Sequence, residues 1–419
     1  RMNPAVAPPP RMRRLRRLAL FLAIACLLAL WLLQPERAGR LLLRQAGQAL
    51  HLELHAQSIH YSVRDTPRLE LRGVVAQRPN DPTALLRAQR VFIALPWRTL
   101  RSMGADLRIE RIALDAPVLN LPALQRWLAT RPPSETRIPV ITHGVQLRDA
   151  RIVNDDWQID QLAIHIPSLH PTQLLRMRVQ GRYHAASLKL PVDLAISLQT
   201  PQRLLDGRRA GTAGAGHMTL ADAQWRVPMQ IFLAGPLRIG KDSALLQPAK
   251  LGLTGRYENG STQLPFRLGL FGPMAFNSAS WRFVPATLVL HGGGPIPDTQ
   301  ARGSLTLGQT LRLHLQGQLA QWPQQWPALP APLSASHSAL PFVLDYRGAP
   351  GLTDALALSL RRDATTFDAQ LRLPAVVTWV NAGNTGSPLP PLTGTLSTPR
   401  IDIGGAVLDG VEVDIRHSP

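Results

Sequence analysis

Between Leu52 and Ile415 the chain returns again and again to one rhythm, an apolar residue at every second position. That rhythm decides what it can fold into. Leu52/Leu54, Leu69/Leu71, Val91/Ile93/Leu95, Leu107/Ile109, Val145/Leu147, Leu162/Ile164/Ile166, Val227/Met229/Ile231/Leu233, Leu264/Phe266/Leu268/Leu270, Leu311/Leu313/Leu315, Leu356/Leu358/Leu360 and Val411/Val413/Ile415 all alternate with other residues. A period of two puts every apolar side chain of a stretch on one face of an extended strand. The longest run is Leu188, Leu190, Val192, Leu194, Ile196 and Leu198, opposed by Lys189, Pro191, Asp193, Ser197 and Gln199. About eighteen strands are expected, and short turns between them suit the 38 prolines and 31 glycines.

Departures from the rhythm predict the remaining local structure. Arg37 to Leu50 reads as an amphipathic helix, and Leu121 to Thr130 as a second one stopped by Arg131-Pro-Pro133. At Glu110-Arg111 the apolar parity changes, which calls for a β-bulge or tight turn. Pro191 and Pro228 inside otherwise strong strands indicate edges or bulges. Gln202 to Gly216 reads as a polar, basic, Gly-rich loop, and Gln321 to Pro341 and Asn381 to Pro391 as proline-rich linkers. A loose repeat, Leu69-x-Leu-x-Gly73, Leu251-x-Leu-x-Gly255, Leu313-x-Leu-x-Gly317 and Ile401-x-Ile-x-Gly405, suggests one hairpin unit whose strands end on glycine.

Ahead of the strands lies Leu18 to Leu33, LALFLAIACLLALWLL, an apolar run without a charge. Extended by Leu15 and Gln34, such a helix just spans roughly 30 Å of hydrocarbon. The basic stretch Arg11 to Arg17 holds the preceding tail in the cytoplasm by the positive-inside rule, which puts everything after Pro35 across the membrane. A cleaved signal peptide needs a small-x-small exit, and Trp31-Leu-Leu-Gln-Pro-Glu-Arg37 has none. Expected boundaries are therefore a cytoplasmic tail at 1–17, a transmembrane helix at 18–34, an N-terminal region at 35–131, a repetitive β groove at 132–380 and a closing repeat at 381–419.

Composition narrows the function. The formal charge is +19, from 46 Lys+Arg against 27 Asp+Glu, but beyond the N-terminal tail the arginines are spread without dense blocks. A nucleic-acid partner would select a clustered footprint. Anionic lipid headgroups fit a dispersed arginine surface better. The single cysteine, Cys26, sits inside the apolar run, so neither a disulfide nor a cysteine metal site is expected.

Chemistry-bearing motifs are weak. His51, Glu53 and His55 share a strand face at metal-ligand spacing, yet a solvated polar face explains them as well. His291-Gly-Gly-Gly294 resembles the oxyanion loop of some lipases, but no serine carries glycines at both minus two and plus two, as a nucleophile elbow requires. Asp155-Asp156 fits a turn between Ile152 and Ile159. No P-loop, dinucleotide fingerprint or H-E-x-x-H is present, so neither an enzyme nor a cofactor is expected.

Val91-Phe-Ile-Ala-Leu-Pro-Trp-Arg-Thr-Leu100, followed by Leu107 to Leu121, and the closing stretch Leu392-Thr-Gly-Thr-Leu396 with Ile401 to Ile415, resemble the AsmA-like family. The likeness covers the apolar run, residues 37–121 and about 390–415; the middle fits by alternation alone. It implies a Gram-negative inner-membrane protein with a periplasmic, chorein-like β groove, related to proteins implicated in carrying phospholipid toward the outer membrane and in envelope integrity. Eighteen strands at about 4.8 Å give a trough near 85 Å, which implies a partner or a purely inner-membrane role.

The expected fold is thus mostly β: a transmembrane helix followed by a long, curved, largely antiparallel sheet with few short helices and an open hydrophobic groove. A greasy sheet face left uncovered by protein calls for a ligand or a membrane. Lipid-binding positions are expected at Leu188, Leu190, Val192, Leu194, Ile196 and Leu198, with headgroups near Arg72, Arg108 and Arg182. Expected partners are phospholipids, the inner membrane and another envelope protein. The competing reading is a non-enzymatic scaffold for envelope or secretion machinery, whose sheet closes on its own core.

Overall fold

A computed structural model describes residues 43–44, 47–48, 50–62, 65–101, 108–130, 137–185, 188–221, 225–240, 243–277, 280–294, 296–324, 333, 339–381, 391–403 and 406–416. The apolar run at 18–34 lies outside these residues, as do most of both proline-rich linkers. Among the described residues no helix is long and apolar enough to cross a membrane. The fold is mostly β, with antiparallel strand pairing and few short helices. It divides into two compact units, the described residues up to 130 with 141–143, and 137–140 with 144–416.

The first unit is built on β3 (Arg68–Gln77). Strands β1 (Glu53–His55) and β2 (Ser58–Ser62) pair along one side of it, and β4 (Ala84–Ala94) along the other. Beyond β4 lie β6 (Arg111–Asp115) and β7 (Val118–Asn120). Glu110 is a bend between β5 (Arg108–Ile109) and β6, where the change of apolar parity required one. Ile109 in turn accepts a hydrogen bond from Thr142, just after β8 (Val140–Ile141). Gly73, at φ +60°, marks a second parity change: Leu69 and Leu71 precede it in one apolar cluster, and Val74 follows in the same cluster. Helix α1 (Trp97–Arg101) follows β4. Helix α2 (Leu121–Ala129) starts where Asn120 Oδ1 accepts the Ala123 N–H at 2.9 Å, and Pro122 fits its first turn. It buries Ala123 against Leu52, Ala76 and Leu85.

The second unit is an antiparallel series in which each strand pairs with the next. It runs through β9 (Val145–Val153), β10 (Gln158–Ile166), β11 (Leu175–Ala185), β12 (Leu188–Leu198), β13 (Ala210–Ala221), β14 (Arg226–Ile239), β15 (Ser243–Asn259) and β16 (Thr262–Asn277). It continues through β17 (Trp281–Gly292), β18 (Thr299–Leu307), β19 (Leu311–Leu319), β20 (Leu340–Gly348), β21 (Ala355–Arg362), β22 (Thr365–Arg372), β23 (Leu392–Ile403) and β24 (Ala406–Ile415). Asp155 and Asp156 occupy the β9–β10 turn, closed by Asn154 N–H to Trp157 O at 2.9 Å. Two short helices are inserted, α3 (Gln202–Leu205) and α4 (Leu373–Asn381).

Several local expectations need correction. Residues 202–216 are no loop: α3 and most of β13 occupy them, because Ala210–Ala221 is zipped laterally between β12 and β14. Pro191 and Pro228 are not on edge strands. Each interrupts a ladder locally, with pairing skipped between Lys189 and Val192 and between Arg226 and Met229. The repeat glycines Gly73, Gly255 and Gly317 stand inside strands rather than at their ends, and large side chains lie opposite the latter two, Phe266 and Phe342.

A one-residue register shift recurs at the same level in β14 to β17, at Ala234/Leu237, Leu246/Ala249, Phe271/Met274 and Phe283/Ala286. Pro236, Pro248, Pro273 and Pro285 lie along this seam, where each removes a ladder donor. Gly235 and Gly272 adopt φ +158° and +151° beside it. A Cβ on Gly272 would stand 2.2 Å from the Pro285 carbonyl oxygen. The shift moves the inward parity from Leu246 to Ala249 in β15 and from Phe283 to Ala286 in β17, so both sides of the seam keep an apolar face. All four of these residues are buried in one cluster.

This unit's sheet also coils. Gln309, in the β18–β19 turn, donates to Asp156 Oδ1, in the β9–β10 turn, at 2.9 Å. A flat sheet would hold those turns about eight strand spacings, or roughly 38 Å, apart. The turns lie at opposite strand ends, and a twist of about 20–25° per strand over eight steps turns one end toward the other.

Candidate lipid-binding face

Directly paired residues of antiparallel strands point to the same side, so the register identifies each face of the sheet. On one side Val179, Leu194, Gly216, Ile231, Leu253, Leu268 and Leu290 form a single row across seven strands. A neighbouring row runs Met177, Ile196, Gly214, Leu233, Leu251, Leu270, Leu288 and Ala301. The same side continues through Leu315, Leu344, Leu358 and Ala369 to Gly394 and Ile415 on β24. The other side carries Gln180, Asp193, His217, Gln230, Thr254, Arg267 and His291 in one row. Alternation within each strand and pairing between strands thus join into one apolar surface, which neither creates alone.

Burial along that surface is uneven. From β15 to β23 its buried members pack in one cluster, from Leu246 and Leu270 to Leu340 at 1% exposure and Leu360 at 0%, and Leu333 joins them. At one end of β11 and β12, Leu175 and Leu198 close against Leu204 of α3 and Ala210. Between these regions Met177, Val179, Leu190, Val192, Leu194, Ile196, Met218, Met229, Ile231 and Leu253 are only half-buried. Of the six expected lipid-binding positions, Leu190, Val192, Leu194 and Ile196 therefore stand in the half-buried part and Leu198 in the packed end. Leu188 lies in β12, with its side chain outside the described set. Met177, Val179, Met218, Met229 and Ile231 belong to the same surface but are singled out only once the register is known.

Arg182 pairs with Asp160 and Pro191 in register, on the side opposite Tyr183 and Leu190. Arg72 and Arg108 belong to the first unit, where Glu70 accepts from Arg72 at 3.1 Å. The polar side instead holds a compact ion pair. Arg178 donates to both oxygens of Asp193, at 3.1 and 2.8 Å, and Gln180 adds a third bond at 2.9 Å. The Arg178 hydrogen bond first, then that of Gln180, pull the Asp193 carboxyl down to about 2.

A depressed folded-state pKa stabilises above the ordinary carboxylate value of 3.8 and is lost as pH falls through about 2. Asp193→Asn is therefore expected to flatten the acid limb of stability between about pH 4 and pH 2. Urea midpoints across that window check it, and the difference should be under about 1 kcal/mol because the pair is solvent-exposed. Equal slopes for both proteins would contradict the assignment.

Ser304, His314 and Asp345 fall in one cross-strand row, and His314 Nδ1 lies 2.6 Å from Asp345. His314 Nε2, however, faces the Gln316 amide at 3.1 Å, and the flanking backbone N–H groups are committed to the ladder, so the row offers no oxyanion donors. His291 lies 3.4 Å from Asp298 at a strand end. Glu53 accepts from Gln77 at 3.1 Å. Among the described residues no group of three or more His, Cys, Asp or Glu is placed to hold a metal ion.

Compared with protein-family models, with characterised proteins and with solved structures, the chain matches none.

Proposed function

We propose that this protein binds phospholipid acyl chains along the half-buried apolar rows of β11–β16 and moves lipid between membranes without chemistry of its own. The carrying observation is the continuous register from Val179 to Leu290, an apolar strip on one side of the sheet, with the polar row from Gln180 to His291 on the other side. From Leu190 to Ile196 the strip is about 20 Å long, comparable to an extended acyl chain. Each methylene removed from water there contributes about 0.8 kcal/mol. The apolar run at 18–34 with its basic flank supports an inner-membrane anchor with the N-terminus in the cytoplasm and the bulk in the periplasm. The sheet then serves as an open groove for transport toward the outer membrane and for envelope integrity.

The test is lipid extraction with native mass spectrometry on the full chain purified in mild detergent. Phospholipid is expected to co-purify at one or more molecules per chain. Delipidated protein at native mass under those conditions would overturn the proposal.

A second reading, a scaffold in envelope or secretion machinery, draws on β24. Among the described residues it pairs with β23 alone, and it exposes Val407, Leu408 and Val413. An unpaired strand edge is a template for adding another chain. Under that reading the protein would co-purify with a partner chain and without lipid.

A further inference from the structure

The turns at one end of the second unit's strands differ from those at the other end. The β12–β13 connection, the β14–β15 turn and the β16–β17 turn all emerge at the same end, each about two strand spacings, or 10 Å, from the next. Large apolar side chains stand in solvent there: Leu205 at 53%, Ile239 at 47% and Trp281 at 44% exposure, with Leu174 beside them at 49%. Interleaved with them are the exposed arginines Arg203, Arg208, Arg209, Arg238 and Arg282, which make no ion pair among the described residues. Among the described residues the carboxylate in this group is Asp206, which accepts from Gln202 at 3.0 Å. At the opposite end of the same strands Arg226 and Arg256 both bind Glu258. No large apolar side chain of β11 to β17 at that end is among the strongly exposed ones.

Exposed aliphatic and indole groups among unpaired arginines are the chemistry that enters the headgroup region of an anionic bilayer. We infer that this strand-end rim docks on an anionic membrane surface, with Leu205, Ile239 and Trp281 inserted at the interface and Arg208, Arg209 and Arg238 facing lipid phosphates. Unpaired cations attract the surface, and the apolar tips contribute only after contact, so binding requires both. The inference deepens the lipid-handling reading by giving the apolar strip a membrane to exchange with. It rests on that reading for its purpose, while the rim's charge and exposure stand on their own.

The experiment uses the full chain held by its N-terminal segment in a nanodisc, with Cys26→Ser and a polarity-sensitive dye on Trp281→Cys. A second protein carries the dye on Ser261→Cys, in the turn at the opposite end. Vesicles of phosphatidylcholine with about 30% phosphatidylglycerol are then added. The dye at 281 is expected to shift to the blue and the dye at 261 to stay unchanged, with no shift for pure phosphatidylcholine. Reversing Arg208, Arg209 and Arg238 to Glu is expected to weaken binding on the order of 100-fold, and raised salt should do the same. Equal response at both positions, or indifference to lipid charge, would overturn the inference. So would a 281 shift produced by a co-purified protein rather than by vesicles. Because the dye reads the rim and co-purified lipid reads the strip, either can fail without the other.

Discussion

Leu194→Glu is expected to leave the sheet folded and to abolish retention of phospholipid. Leu194 sits in the half-buried row, opposite Val179 on one side and Gly216 on the other. With the strip empty, a carboxylate there keeps part of its water. With an acyl chain lying across it, that water must leave, and an unpaired charge against methylenes costs several kcal/mol. That offsets the gain from several buried CH₂ groups at about 0.8 kcal/mol each. Ala195→Glu is the matched control, one residue along and exposed on the polar side. Phosphorus per protein after purification should fall to the detergent background for the first variant and stay at the wild-type value for the second. Both should keep thermal midpoints within a few degrees of the parent. Equal loading of the two would remove the apolar strip from consideration.

A larger effect on stability is expected from Gly272→Val. The added Cβ would lie 2.2 Å from the carbonyl oxygen of Pro285, a backbone atom that cannot swing aside, at a φ of +151° that a β-branched residue avoids. Steric overlap and backbone strain together should cost roughly 3–5 kcal/mol. Gly269→Val, three residues earlier in the same strand, meets nothing closer than 3.9 Å and should change stability by under about 0.5 kcal/mol. Denaturant midpoints of the two variants decide it. Similar losses would mean that the proline seam yields more readily than its geometry implies.

Some of this structure was legible in the residues alone. Alternation from Leu188 to Leu198 specified a strand with one apolar face, the Asp155-Asp156 turn followed from the runs flanking it, and α2 followed from the stretch Leu121 to Thr130 and the stop at Arg131-Pro-Pro133. These features depend on neighbours in sequence. The strand at Ala210–Ala221 did not show itself, because its glycines and alanines carry no pattern and pairing with β12 and β14 fixes its conformation. Nor did the seam: Pro236, Pro248, Pro273 and Pro285 acquire a meaning only when four strands are laid side by side. The same holds for the candidate site. β12 supplied part of it, but Val179, Met218, Met229 and Ile231 join it through register, and the basic rim collects residues from three turns far apart in the chain.

Away from the proline seam, the inward rows of the second unit pass from strand to strand by direct pairing, and consecutive strands run in opposite directions. Excising two adjacent strands with their turn, such as β18 and β19, would leave β17 facing β20 with direction preserved. In such an architecture, length varies by whole hairpins while the cross-section offered to a guest stays constant. Evolution can therefore stretch or shorten the ribbon in quanta of two strands without redesigning its interior.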